Sequence, residues 1–470
     1  KLKVDEINSL AGEIASLNKQ INVIELTGSK ANELRDRRTL LLDKLSSIAS
    51  IDTQEIPITD ANNPERETGA NRFLVRLGGG QLLVDTSDYK QLECLARTRY
   101  EKVNQTDIDG LYDIYWSNGE SFNMYDKTLG GSLQGLVELR DGNNSENFKG
   151  QITDTGKKDV IGTDGFLKAH DTVTINVNQD YLLDLNKSNL SDTGGVIRLG
   201  NQEFYYDSWS YTCSYDGAGN PNYSYTFVLS DDTLNARNLT NDRIGMTASI
   251  GTTIAYQGIP YYMKQMNEWV RTFSQKFNDI LNSGCNVNGN SGIDLFAGKV
   301  ATGNEQYEFL DAFRYDKQTS GTLTVDANNN SYYKLTASNL SILSALVKNS
   351  DLLATRKNAS DGVEQSDLLK EIQSMIKDKD KMSFRGSSAG EFLQCVLSDV
   401  ALNAGNANTF SNNYKNILGS IDNQRNSISG VDEDEEALNL VKYQNGYNLA
   451  AKMIQTLTEV YDRLILETGV

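Results

Sequence analysis

Ser429-Gly430-Val431-Asp432-Glu433-Asp434-Glu435-Glu436-Ala437 opens the last part of the chain, and an uninterrupted apolar heptad follows it to the end. Leu440, Tyr443, Tyr447, Ala450, Ile454, Leu457, Tyr461 and Leu464 succeed one another at spacings of 3, 4, 3, 4, 3, 4 and 3. That periodicity predicts one helix with a continuous seam about four heptads long, of coiled-coil type. The acidic run sits at its start, where carboxylates stabilise the unsatisfied N–H groups and the positive end of the helix dipole. A helix this amphipathic needs something to cover its seam. Two occupants fit: another helix of the same chain, or other chains in an assembly.

Upstream, a long helix is expected from Glu391 to Ile428. Val396, Val400, Ala407, Phe410, Tyr414, Ile417, Ile421 and Ile428 share one heptad frame, with polar Asn403 and Gln424 also on it. The first fifty residues are helical too. Val4, Ile7, Leu10, Ile14, Leu17, Ile21 and Ile24 mark one stripe, Thr27-Gly28-Ser29 breaks it, and Leu34, Leu41, Leu42, Leu45 and Ile48 mark a second helix. The Arg35-Asp36-Arg37-Arg38 cluster reads as a solvated or salt-bridged face.

From Ile51 the texture changes to short strands and glycine-rich turns. Phe73–Leu77, Gly78-Gly79-Gly80 and Gln81–Val84 read as a hairpin, and strand-like runs recur at Leu111–Trp116 and Ser121–Tyr125. A helix follows at Leu133–Arg140. Tyr-, Thr- and Val-rich runs at Asp171–Val177, Gly195–Leu199, Glu203–Tyr206 and Tyr223–Leu229 predict a β domain. Helix returns after Ile259-Pro260-Tyr261, where Tyr262, Met266, Trp269, Phe273, Phe277, Ile280 and Leu281 keep helical spacing. Short strands are expected near Tyr307–Tyr315 and Gly321–Val325, and helical patterns dominate from Ser338 to the end.

The fold class expected is therefore multidomain α+β: an elongated helical bundle built from both chain ends, with β-rich domains inserted in the middle. The boundaries expected are 1–150 for the N-terminal helices and a β subdomain, and 151–256 for an inserted outer β domain. Residues 257–430 form the helical return, with a small β or loop insertion at about 285–335, and 431–470 form the C-terminal assembly helix.

The 470 residues carry 45 basic and 63 acidic side chains, a net charge of −18, which disfavours binding to phosphate backbones or anionic membrane surfaces. No segment approaches eighteen consecutive apolar residues, so none reads as a membrane-spanning helix. Cys94, Cys213, Cys285 and Cys395 are scattered, with no zinc-type spacing. With His170 as the single histidine, a multi-histidine metal site is impossible, and His170 reads as a surface residue before a strand. Asp107-Ile108-Asp109-Gly110 reads as an ordinary turn, since it lacks the rest of a calcium loop. Gly386-Ser387-Ser388-Ala389-Gly390 matches a nucleophile elbow on paper, but a charged stretch precedes it and no histidine follows. The expectation is a protein without catalytic residues, cofactor or metal.

Ser429–Ala437 followed by Leu440-Val441-Lys442-Tyr443-Gln444 and Tyr447 resembles the C-terminal signature of bacterial flagellar axial proteins. Four further blocks place the resemblance with hook–filament junction members of that family rather than hook or rod proteins. They are Ile14–Ile21, Ala31–Arg38, Gly130-Gly131-Ser132-Leu133 and Gly258-Ile259-Pro260-Tyr261-Tyr262-Met263. They run in the family's order along nearly the whole chain. The resemblance implies an extracellular structural subunit, secreted through the flagellar type III export apparatus without a cleaved signal peptide. Its implied partners are the hook protein, the second junction protein (hook-associated protein 3), other copies of itself in a ring, and an export chaperone reading the C-terminal helix. It further implies that a preceding N-terminal helix is missing before Lys1, leaving Ala437–Leu466 without its native partner. On this reading the eight seam residues from Leu440 to Leu464 are the subunit interface.

Two other classes compete. A surface adhesin or glycan-binding protein would use Tyr205, Tyr206, Trp209, Tyr211, Tyr223 and Tyr225, although alternating aromatics in strands more often fill a core. A secreted hydrolase would rest on Ser388 alone.

Overall fold

Helices at both chain ends and β structure between them organise the computed structural model, which is 44% helical and 28% strand. It describes residues 1–161, 167–216, 218–231, 239–300, 305–307, 309, 322–326, 331–362 and 364–467. Two compact units result, Lys1–Gly390 and Glu391–Val470.

The first unit begins with α1 (Leu2–Glu25) and α2 (Asn32–Ile48). Both pack on an antiparallel sheet of β1 (Ile51–Asp60), β2 (Asn63–Leu77), β3 (Gln81–Asp85) and β4 (Asp88–Tyr89), paired in that order. The α1 stripe is buried from Val4 to Ile21, while Ile24 is at the exposed rim. It meets Leu41, Leu45 and Ile48 of α2 and Phe73, Val75, Leu83 and Val84 of the sheet. Gly79 and Gly80 take φ of +74° and +78° at the β2–β3 turn, which glycine adopts without steric penalty. The arginine cluster of α2 divides. Arg35 pairs with Glu25 and Glu55 at the surface, whereas Arg38 is buried, with its guanidinium 3.7 Å from the Phe73 ring centre. A hairpin of β5 (Leu92–Ala96) and β6 (Tyr112–Trp116) and helix α3 (Gly131–Asp141) complete this core. Ser121–Tyr125, expected as a strand, is a loop. Phe122 and Met124 point into the core there, and only Ser121 bridges to Tyr115.

The middle of the chain is an antiparallel barrel. Its strands are β7 (Phe148–Ile161), β8 (Leu167–Asn176), β9 (Gly195–Leu199), β10 (Gln202–Tyr215), β11 (Pro221–Leu229) and β12 (Thr247–Ile250), with a short helix α4 (Asp180–Leu183) between β8 and β9. The pairing runs β11-β8-β7-β12-β9-β10, and β10 pairs back to β11, which closes the ring. Closure satisfies the edges that an open sheet would expose. Strand β10 is long enough to pair with β9 through Gln202–Tyr206 and with β11 through Tyr206–Tyr215.

Helix α5 (Ile259–Asn282) follows the barrel. Strands β13 (Phe296–Lys299), β14 (Gln306–Tyr307) and β16 (Leu340–Ile342) form a small sheet, while β15 (Thr322–Asp326) joins the barrel beside β10. Val325 and Tyr333 thereby enter the barrel core. Of the strand expected near Tyr307–Tyr315, residues 308 and 310–315 lie outside the described residues. Helix dominates after Ser338, as expected, but the first stretch is mostly irregular. The described residues of 338–366 hold β16, the five-residue α6 (Ser344–Lys348), a 3-10 turn at Ser350–Leu352 and further turns, before α7 (Asp367–Lys377). Asn and Ser recur there and bond the backbone locally, as the Asn349 side chain does with Asp351 N, which competes with helix.

The second unit consists of nearly all of α8 (Ala389–Ser429) and of α9 (Glu433–Glu467).

Candidate assembly surface

Helix α9 starts where the acidic run predicts. Asp432 caps it, its Oδ1 accepting from the N–H groups of Asp434 (2.9 Å) and Glu435 (3.3 Å). Glu433, Asp434, Glu435 and Glu436 fill the first turn, where the dipole favours negative charge. No proline interrupts the following residues, and Ala, Leu, Lys, Gln and Met supply high helix propensity.

All eight seam residues lie on this helix, along one face, and all are solvent-exposed. Leu440 is 69% exposed, Tyr447 77%, Ile454 66% and Leu457 54%. The helix buries no residue among those described. Helix α8 presents a second row of exposed apolar residues: Val400, Phe410, Tyr414, Ile417, Ile421 and Ile428. Rows of exposed large apolar residues on two long helices are the kind of surface that marks a contact site for other protein. The chemistry available to such a surface is burial against other protein.

The residues that raised other chemistry go elsewhere. His170, expected at the surface, is buried, with Nδ1 3.1 Å from the Leu229 carbonyl oxygen. Barrel closure brings β11 over the start of β8 and encloses it. Asp107 accepts from the backbone N–H groups of Val103 and Asn104 and lies 3.6 Å from Arg97, while Asp109 pairs with Lys102 at 2.8 Å. Ser388 follows a tight turn in which Phe384 and Ser387 exchange backbone hydrogen bonds, at the approach to α8. Of the six aromatic residues weighed as a binding platform, Tyr206, Trp209, Tyr211 and Tyr225 are fully enclosed in the barrel core.

Two buried polar clusters were not legible in the sequence. Arg97 donates Nε and Nη2 to the two oxygens of Asp113, each at 2.9 Å, and lies 3.4 Å from Asp141. Tyr125 donates to the same Asp141 at 2.9 Å, and burial pushes the Tyr125 phenol well above its ordinary range. The second cluster lies on α5. Its apolar stripe from Tyr262 to Ile280 is only half-buried, and the polar stripe Lys264, Glu268, Arg271, Gln275 and Asn278 is buried instead. The 4, 3, 4, 3 spacing of those polar residues is the signal that could have found it.

Comparison with known proteins agrees with the location of the terminal helices. Residues 1–155 match the family model described as the flagellar hook-associated protein FlgK helical domain. Residues 423–466 match the model described as flagellar basal body rod FlgEFG protein C-terminal. The flagellar hook-associated protein 1 of Escherichia coli is 24% identical over 275 residues, covering 47% of this chain and 49% of that protein. Its Bacillus subtilis namesake is 26% identical over 99 residues, covering 21% and 20% respectively. The chain thus spans about half or less of the length of these relatives. Among solved structures, the flagellar hook junction protein FlgK from Burkholderia pseudomallei aligns over 91% of this chain and 83% of that one, at 13% identity and a TM-score of 0.36.

Proposed function

We propose that the chain, whose residues 1–155 and 423–466 match flagellar hook-associated and axial family models, is a structural subunit of the bacterial flagellum at the hook–filament junction. The observation that carries this reading is the exposed seam of α9, Leu440 to Leu464, inside the segment that matches the axial C-terminal model. Burying a large apolar side chain contributes about 1.5–3 kcal/mol, so eight positions suffice to hold a helix that is marginal alone. The seam is covered by neighbouring axial subunits. Those neighbours are the hook protein on one side, the second junction protein on the other, and further copies of the chain around a ring. Before assembly, an export chaperone covers the same helix, and the flagellar type III apparatus delivers the subunit outside the cell. The role is one of shape and interface, without catalysis.

The test is electron microscopy of intact flagella carrying an epitope tag in the β1–β2 turn near Asn62. Label confined to a band between hook and filament is the expected result. Label spread along the filament, or absent from flagella, overturns the assignment.

A further inference from the structure

Helix α5 has a polar stripe where a core would ordinarily be apolar: Lys264, Glu268, Arg271, Gln275 and Asn278 are all buried. Buried charge is costly unless each group finds partners. At one end Lys264 donates to Glu146 at 2.8 Å and lies 4.3 Å from the Tyr181 ring centre. Burial lowers the Lys264 pKa and the Glu146 carboxylate opposes that shift. Beside it, Arg385 donates to Glu268 at 3.2 Å.

Arg271, at the centre, is wholly enclosed. Its hydrogen-bond partners are carbonyl oxygens and one amide. Nε donates to Leu335 O at 3.1 Å, Nη1 to Asn186 O and Ser188 O at 2.9 Å each, and Nη2 to Gln105 Oε1. The guanidinium also lies 4.2 Å from the Tyr333 ring centre. One side chain therefore ties three stretches that are far apart in sequence.

The central stretch, Leu182–Ser191, is held from its other side by the barrel. Trp209 Nε1 donates to Ser191 O (2.8 Å), Tyr211 to Leu183 O (2.6 Å), Tyr225 to Leu182 O (2.8 Å), and Tyr333 to Leu190 O. Gln105 N–H adds a bond to Asn189 O at 3.0 Å. The segment thus lies between aromatic donors of the barrel and the guanidinium of α5. None of the strand pairings of the barrel involves Arg271.

We infer that Arg271 is a locking side chain that makes the barrel and helix α5 one rigid piece. Its fork fixes Leu182–Ser191 and Tyr333–Leu335 to the helix, and its loss lets these stretches open while the barrel ladder stays closed. Lysine cannot replace it fully, because an ammonium lacks the planar fork that reaches three directions at once. The inference does not depend on what the chain assembles with.

Hydrogen exchange on the intact chain, read by mass spectrometry, tests it. In Arg271→Met, amides in 182–191 and 333–335 should exchange about ten-fold faster or more, with β8, β10 and β11 unchanged. Arg271→Lys should fall between parent and Arg271→Met. Gln105→Ala removes one partner of Arg271 and also the bond from Gln105 Nε2 to Tyr333 O at 3.0 Å, so its reading is taken at 182–191, where exchange should quicken to a smaller degree. Unchanged exchange in Arg271→Met overturns the inference, and so does acceleration spread equally through the barrel and the α1–α2 domain. Should Arg271→Met fail to fold, Gln105→Ala decides alone: no acceleration at 182–191 sinks the idea.

Discussion

Replacing Ile454 or Leu457 with aspartate separates an assembly element from a folding element. Ile454 is 66% exposed and Leu457 54%. Within the isolated chain each therefore realises only about a third to a half of the roughly 1.5–3 kcal/mol that full burial gives. Removing either should cost the free subunit about 0.5–1.5 kcal/mol. In the assembled state the remaining surface is also covered, worth about 1–2 kcal/mol per site, and a carboxylate in an apolar seam adds a desolvation cost of about 2 kcal/mol or more. The sum is about 3–4 kcal/mol per contact, or roughly a 10²–10³-fold loss in association. Two assays are needed: thermal melting of the purified chain, and incorporation at the hook tip scored by electron microscopy with motility. The expected outcome is a nearly unchanged melt and abolished incorporation. Lys452→Asp, on the opposite face of α9, serves as a control that should incorporate normally. Normal filament assembly with Ile454→Asp or Leu457→Asp would refute the reasoning, as would a collapse of the free chain's stability.

Three further outcomes concern the first unit. Arg97→Met takes the guanidinium from buried Asp107 and leaves Asp113 and Asp141 with Arg140 alone, so a loss of about 2 kcal/mol or more is expected in urea titration. Gly131→Ala puts a Cβ against the backbone of Ile48 at a φ of +62°, so a loss of at least about 2 kcal/mol is expected from strain and overpacking together. The Arg35 guanidinium, bonded to Glu25 at 2.6 Å, holds that carboxyl below its ordinary 4.5. A folded value below the unfolded one stabilises above about pH 4.5 and fades as the pH falls through the folded value. The melting difference between the parent and Glu25→Gln should therefore be present at neutral pH and close in acid, and a gap that persists at pH 2 would count against the pair.

Helices with one clean apolar stripe were legible almost to the residue. The α1 stripe and the break at Thr27-Gly28-Ser29 correspond to a helix ending at Glu25 and a second one starting at Asn32. Barrel strands were legible where Tyr, Thr and Val face a core, as in β9 and β11. Strand β7 was not, because Asp154–Asp159 is polar on both faces and offers no alternation to read. It is a strand because Gln151–Ile161 pairs along its length with β8, which is a property of the pair and not of either segment. The contribution of β15 to the barrel was illegible for a related reason. Its partner β10 lies more than a hundred residues upstream, and nothing local in Thr322–Asp326 specifies it.

Helices α5 and α9 carry the same kind of apolar spacing and meet opposite fates, which shows what periodicity can and cannot decide. In α5 the carbonyls of Asn186, Ser188 and Leu335 need donors once they leave water, and an unpaired buried acceptor costs more than a half-exposed Phe or Trp. The polar stripe therefore turns inward and the aromatics take the rim. That demand arises some 80 residues upstream and 60 downstream, so no window centred on α5 contains it. In α9 no such demand acts, and the apolar face is exposed. Its interior Gly446, like Gly405 and Gly419 of α8, has open space where a side chain would stand. A helix-interior glycine costs about 1 kcal/mol relative to alanine. On the proposed reading, the exposed seam and the open glycine positions are where other subunits close on these helices. A periodic apolar stripe thus identifies a face, and the polar groups and empty space around it tell whether the occupant belongs to the same chain.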